Sequence, residues 1–281
     1  MRSENAVLDQ IRDWADSWDN VRAVILTGSR ADPGRRPDVL SDYDVQVFVR
    51  DTDRIARDDE WLRPFGTVMV RWPIRPRPTF SEDWITQLVL FDDGVRIDFQ
   101  ITAKRNRLTD EHDNGYKILA DKDRLAESWG ASTFSTDASK APTAEAYQDR
   151  LNAFWWDIVY VAKGLWRGEL NYARYVLDST VRFETLQPLL QWYIGVNQGW
   201  DVQTGVRGRW LHRYLDVTSW NGYAATFADS LPENNWSALF ATISLVRRTG
   251  KAIGESLGYE YPDQVDRKVT KFIEMIRRLP R

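Results

Sequence analysis

Val21-Arg22-Ala23-Val24-Ile25-Leu26-Thr27-Gly28-Ser29 runs from a β-forming stretch straight into a glycine–serine turn. Twelve residues separate Ser29 from Asp42-Tyr43-Asp44-Val45-Gln46-Val47-Phe48-Val49, which opens a second such stretch. In a strand, side chains at i and i+2 share a face. Asp42 and Asp44 therefore project together, while Tyr43, Val45, Val47 and Val49 take the opposite, buried face. Two carboxylates so close repel unless a cation lies between them. Mg²⁺ suits them, because it prefers oxygen and shares its shell with water and substrate phosphates.

Further along, Val95-Arg96-Ile97-Asp98-Phe99-Gln100-Ile101 alternates strictly, which puts Asp98 on a polar face with Arg96 and Gln100. If the two strands are neighbours in one sheet, Asp98 meets Asp42 and Asp44. Three carboxylates on a sheet face can hold two Mg²⁺, or one with a carboxylate left over as base. That set serves phosphoryl or nucleotidyl transfer. Gly28 lets the backbone turn closely around a phosphate, and the Ser29 hydroxyl and neighbouring amides can donate to it. No G-x-x-x-x-G-K-[ST] loop occurs, so phosphates are held some other way.

The rest of the chain divides in two. Residues 1–140 carry 21 basic and 26 acidic side chains; residues 141–281 carry 17 and 15. The first part predicts a helix over 5–18 and strands over 21–26, 43–49, 67–72, 85–91 and 95–102, with a weaker one over 116–120. Asp92-Asp93-Gly94 between two of these favours an antiparallel or mixed sheet. The stretch 131–143 is small, polar and without period, and places a boundary at 140/141. The second part predicts helices over 143–166, 172–186, 189–196, 206–216, 235–257 and 262–278, with Pro188 disturbing the end of the second. The expected fold is therefore α+β: a mixed-sheet N-terminal domain, then a C-terminal α-helical bundle domain.

Composition narrows the chemistry. The 281 residues include no cysteine and only two histidines, His112 and His212. That excludes disulfides, a catalytic thiolate and Cys-ligated metals. The formal net charge of -3 does not advertise nucleic acid as a partner. No apolar run reaches the ~18 residues of a membrane span, and the N-terminus lacks a signal-peptide block, so a cytoplasmic protein is expected.

Leu26-Thr27-Gly28-Ser29-Arg30, Ser41-Asp42-Tyr43-Asp44-Val45 and Arg96-Ile97-Asp98-Phe99 together resemble the core motif of the polymerase-β-like nucleotidyltransferase superfamily. Phe154-Trp155-Trp156, Tyr160-Val161-Ala162-Lys163-Gly164-Leu165-Trp166-Arg167, Leu190-Gln191-Trp192-Tyr193-Ile194-Gly195, Gly208-Arg209-Trp210-Leu211-His212-Arg213-Tyr214-Leu215 and Gly258-Tyr259-Glu260-Tyr261-Pro262 look like the aminoglycoside 6-adenylyltransferase (streptomycin adenylyltransferase) family. The similarity covers nearly the whole chain. It implies a nucleotidyltransferase domain over 1–140 and a helical domain over 141–281 that closes a cleft. It also implies transfer of AMP from Mg-ATP to a hydroxyl of a cationic antibiotic, with pyrophosphate released.

By the resemblance, Asp42 and Asp44 match the metal-binding pair. Asp98 matches the third carboxylate, a metal ligand or the general base. Gly28 and Ser29 match the phosphate-holding turn, Arg30 adds charge at the phosphates, and Lys163 looks like the helical-domain lysine that reaches the triphosphate. Trp156, Tyr160 and Lys163 share one helix face at spacings of four and three, opposite the Leu151/Phe154/Ile158 stripe. Streptomycin carries two guanidinium groups, so its site calls for carboxylates and aromatic faces. The candidates are Asp157, Asp178 and Glu184 with Trp72, Trp156 and Tyr160. Two alternatives stand beside this reading: the same core acting on a protein, a tRNA end or another small hydroxyl compound, and a nucleotide sensor without chemistry. Oligomeric state is not legible.

Overall fold

The computed structural model describes residues 1–104, 113–133 and 139–280. The chain divides into two units, Met1–Asp137 and Ala138–Arg281, against the boundary expected at 140. Among the described residues no helix is long and apolar enough to cross a membrane.

Alternation builds the first unit. Six strands, β1 (Val21–Thr27), β2 (Tyr43–Val49), β3 (Val68–Ser81), β4 (Trp84–Phe91), β5 (Arg96–Thr102) and β6 (Lys117–Asp121), form one sheet in the order β3-β4-β5-β2-β1-β6. It is mixed: β2 and β5 are parallel, and every other pair is antiparallel. Helix α1 (Glu4–Ser17) is capped by the Ser3 hydroxyl, which accepts from the Ala6 amide at 3.3 Å, and a short helix α2 (Asp53–Arg57) follows β2. Its Val7, Ile11 and Trp14 join Val24, Leu26, Val45, Val47, Ile97 and Phe99 in a core where Trp14, Trp61, Phe65 and Phe99 pack ring on ring. Each large side chain buried there contributes about 1.5–3 kcal/mol. The other sheet face holds a small apolar cluster of Ala23, Ile25, Phe48 and Trp84, leaving Asp44 and Asp98 on a face without the large core.

Strand β3 runs far beyond the expected 67–72. Pro73, Pro76 and Pro78 lie within it and are tolerated, because β3 is an edge strand whose outward N–H groups need no ladder partner. At the β4–β5 turn Asp93 accepts from Arg2 Nε at 2.9 Å and from the Val95 amide at 3.1 Å. The Arg2 hydrogen bond, only partly opposed by burial, lowers the Asp93 carboxyl to about 2 from an ordinary 3.8. A depressed carboxyl contributes stability that is complete above the unfolded value and lost as pH falls through the folded one. Asp93→Asn is expected to cost about 1 kcal/mol at neutral pH. Its stability difference from wild type should vanish as pH drops from 4 to 2, followed by circular dichroism in urea.

In the second unit, α3 (Ala144–Arg167) starts at Thr143, whose hydroxyl accepts from the Ala146 amide, and stops at Gly168 in the left-handed conformation. Its stripe Tyr147, Leu151, Phe154, Ile158, Ala162 and Leu165 is buried, as the spacing predicts. The expected break at Pro188 is absent. Helix α4 (Leu170–Tyr175) runs into an eleven-residue π-helical segment, Val176–Leu186, and on into α5 (Gln187–Gln198). Pro188 sits in the first turn of α5, where it is tolerated. The single helix expected over 206–216 is instead a short turn and α6 (Leu211–Tyr214), because Gly205 and Gly208 take positive φ. Helix α7 (Val217–Ala224) was not anticipated, although Asp216 caps it by accepting from the Ser219 amide at 2.9 Å. Helices α8 (Pro232–Leu257) and α9 (Asp263–Arg278) complete the bundle.

Candidate active site

The parallel pairing of β2 with β5 decides the site. Its register sets Asp44 opposite Asp98 and Tyr43 opposite Ile97, so the two carboxylates are lateral neighbours on one sheet face. Strands in a sheet lie about 4.8 Å apart, so the two side chains share one small region. Asp42, two residues before Asp44, rises on the same side. Gly28 follows β1 directly, beside Asp44, with φ 66°. A β-carbon on Gly28 would collide with the Asp44 carboxylate. Glycine therefore serves twice, for the backbone conformation and for room beside Asp44. The Gly28 carbonyl accepts from the Ala31 and Asp32 amides, which winds Gly28–Arg30 into a tight turn with Ser29 half-buried on it. A pocket of about 160 Å³ lined by Thr27, Gly28, Asp32, Arg35, Asp44 and Asn114 lies against this turn. It has room for a phosphate-sized group, not for a whole nucleotide. Asp32, Arg35 and Asn114 carry no periodic signal that would have placed them there.

A cation, Arg96, lies among the carboxylates. Arg96 donates from Nε to Asp98 Oδ1 at 2.8 Å and from Nη2 to Asp98 Oδ2 at 2.7 Å. Its Nη1 is 3.3 Å from Asp42 Oδ2. The Asp98 hydrogen bonds, then the fields of Asp98, Asp42 and Asp44, push the guanidinium above its ordinary range despite partial burial. Alternation put Arg96 on this face, but its bridge to a second strand was not readable. Among the described residues no group of three or more carboxylate, imidazole or thiol side chains is gathered tightly enough to hold a metal ion as it stands. The Arg96 guanidinium engages both oxygens of Asp98 and approaches one of Asp42. The donors still fit Mg²⁺: they are hard oxygens, they share a face, and a positive group already stands between two of them.

Arg30 departs from expectation. Its guanidinium does not face the turn where phosphates would lie. It is buried and donates to the carbonyls of Asp38 (3.1 Å), Ser41 (2.8 Å) and Asp42 (3.2 Å), pairs with Glu4 at 2.7 Å and covers the Tyr43 ring at 4.0 Å. Arg30 is thus the internal strut of the loop that delivers Asp42. The reason is tertiary: three backbone carbonyls and one carboxylate converge where a long cation can satisfy them.

In the helical unit, Trp156 is exposed on α3 and meets Tyr160 edge-on at 6.3 Å, with Lys163 Nζ 5.7 Å from the Tyr160 ring. The three share one face, as the spacing predicts. Asp157 is half-buried, and burial followed by the Glu184 charge raises its carboxyl above the usual range. Neither Asp157 nor Glu184 forms an ion pair among the described residues. Asp178 is a correction. It pairs with Arg174 at 2.7 Å and with buried Arg182 at 2.9 Å, and Arg182 also donates to the Thr226 carbonyl and stacks on Phe227 at 3.8 Å. Its charge is matched within the bundle, which leaves little for an incoming cation. Trp72 lies half-exposed on edge strand β3 of the first unit, against Phe80 at 6.0 Å.

Residues 1–276 match the family model described as streptomycin adenylyltransferase. The aminoglycoside 6-adenylyltransferase of Bacillus subtilis (strain 168) is 32% identical over 281 residues, covering 98% of both chains. That of Campylobacter jejuni is 31% identical over 279 residues, covering 97% of this chain and 95% of its own. A crystal structure of an aminoglycoside 6-adenyltransferase from Bacillus subtilis is 28% identical and covers 99% of this chain and 100% of its own, with a TM-score of 0.49.

Proposed function

The chain belongs to the streptomycin adenylyltransferase family and is a nucleotidyltransferase, and from that premise we propose that it moves AMP from ATP to the 6-hydroxyl of an aminoglycoside such as streptomycin. The observation that carries the reading is the register of β2 on β5, which sets Asp44 beside Asp98, with Asp42 on the same face and the Gly28 turn against them. The printed names of the relatives support the aminoglycoside acceptor.

In this reading Asp42, Asp44 and Asp98 would hold Mg²⁺, which supplies charge neutralisation at the phosphates when bound. The acceptor oxygen forms its bond to the α-phosphorus. The bond from that phosphorus to the bridging oxygen breaks, and pyrophosphate leaves with the electron pair. Asp98 takes the hydroxyl proton once it is released from Arg96. The Ser29 hydroxyl and the amides of the Gly28 turn donate to phosphate oxygens. We assign this chemistry to residues 1–140. To residues 141–281 we assign Lys163 as the cation for the triphosphate and the contacts to the acceptor. Most of the rate arises from positioning and charge stabilisation.

For the acceptor, Asp157 and Glu184 are the better pair. Their mutual repulsion is relieved by a guanidinium or ammonium group, whereas Asp178 is already matched. Trp156 and Tyr160 supply the faces on which a guanidinium stacks. Trp72 is retained as a candidate face from the first unit.

The test is pyrophosphate release from Mg-ATP with and without streptomycin. Streptomycin-dependent release is expected, with a product heavier by one adenylyl group. ATP binding without release on streptomycin or other aminoglycosides would overturn the acceptor assignment and point to another hydroxyl compound or a protein.

A further inference from the structure

We propose that Arg96 is a resident counter-cation of Asp98 and Asp42, holding both until a divalent ion displaces it. Arg96 thereby sets how tightly the nucleotide-free protein binds metal. The inference rests on the proposed metal role of Asp42, Asp44 and Asp98.

The geometry is that of exchange. Both oxygens of Asp98 are taken by the guanidinium fork, and one oxygen of Asp42 lies within 3.3 Å of its third nitrogen. A divalent ion on these carboxylates needs the same oxygens, so the two cations compete. The two ends of the pair are unequally exposed. The Asp98 side chain is 14% exposed and the Arg96 side chain 42%. Asp98 thus needs a positive partner at all times, since a partly buried carboxylate left alone is costly. Arg96 can swing into water at little cost. Its charge is permanent near neutral pH, so Arg96 does not leave by losing its proton; another cation must displace it.

Physical chemistry fixes the direction. Without Arg96, Asp98 loses the cation on both of its oxygens and Asp42 loses one near its own, which weakens the fold and strengthens the pull on a metal. A merely structural Arg96 would act oppositely, because its loss would disorder the carboxylates and weaken metal binding.

The experiment uses Mn²⁺ alone, its bound fraction read by electron paramagnetic resonance without nucleotide, on the full chain as wild type, Arg96→Gln and Arg96→Lys. Thermal midpoints are recorded with and without Mn²⁺. Arg96→Gln is expected to bind Mn²⁺ on the order of tenfold more tightly than wild type, since it removes charge-assisted bonds that the metal must otherwise break. Its midpoint should lie below wild type without Mn²⁺ and rise further when Mn²⁺ is added. Arg96→Lys keeps the charge without the fork and should fall between, which also serves if Arg96→Gln does not fold. Equal or weaker Mn²⁺ binding by the variants overturns the exchange and leaves the metal role intact. Absence of Mn²⁺ binding in wild type and variants alike overturns the metal role itself, and with it this inference.

Discussion

Asp44→Asn is expected to lower the kcat of pyrophosphate release by about 10³-fold or more, equivalent to a barrier higher by roughly 4 kcal/mol. The substitution keeps size and shape, so the packing of β2 is untouched. It removes one negative charge from the centre of the site, where Asp44 lies across from Asp98 and against the Gly28 turn. An amide oxygen is a weak ligand for a hard divalent ion, and its NH₂ group presents hydrogen where a lone pair is needed. The fold should be retained, because the amide has the size and shape of the carboxylate. Rates from a coupled pyrophosphate assay, with circular dichroism to verify the fold, check both halves. Turnover near wild type would falsify the role given to this carboxylate.

Gly28→Ala is the second large effect, expected at about 10²-fold on kcat. Two costs combine. Alanine at φ 66° is strained by roughly 1–2 kcal/mol. Its methyl would also occupy the space of the Asp44 carboxylate, so one of the two must shift. The protein should still fold, with its thermal midpoint lowered by several degrees. A displacement of about 1 Å in a group that must be aligned is enough for the loss in rate. The damage should fall on kcat more than on KM for the acceptor, since the turn lies in the first unit. If the rate persists while the midpoint falls, Gly28 serves the backbone turn alone, and its closeness to Asp44 has no catalytic consequence.

How much was legible depends on the range of the geometry involved. Alternation within Tyr43–Val49 and Val95–Ile101 is set by neighbours two apart, and it identified the core face of both strands and the face that carries Asp44 and Asp98, although Gln46 and Phe48 are buried on that second face too. The Thr143 cap and the Leu151/Phe154/Ile158 stripe are likewise local, and α3 formed where they indicate. Errors gathered where the decision is not local. The prolines of β3 stop a central strand but not an edge strand, and only the sheet order tells which it is. Pro188 breaks a helix interior but not a first turn, and the register of the π-helical segment settles that.

The long cations show the same limit. Arg30 sits beside Gly28-Ser29 in sequence, yet its guanidinium is engaged by carbonyls up to twelve residues away. Asp178 reads as a free helix carboxylate until Arg174 and Arg182 are placed around it. A side chain with four or five rotatable bonds goes where unsatisfied partners are, and those partners are assembled by the fold.

By itself the sequence determined the α+β composition, the glycine turn, the Asp-x-Asp pair and a third acidic residue on an alternating strand, because each is a consequence of steric period or backbone freedom over a few residues. The tertiary structure alone decided that β2 and β5 run parallel in the register that sets Asp44 beside Asp98, that Arg96 is a cation among the carboxylates, and that Arg30, expected at the phosphates, braces the loop before β2. Strand partners and salt-bridge partners are non-local, chosen by burial across the whole sheet, and no spacing within one segment encodes them.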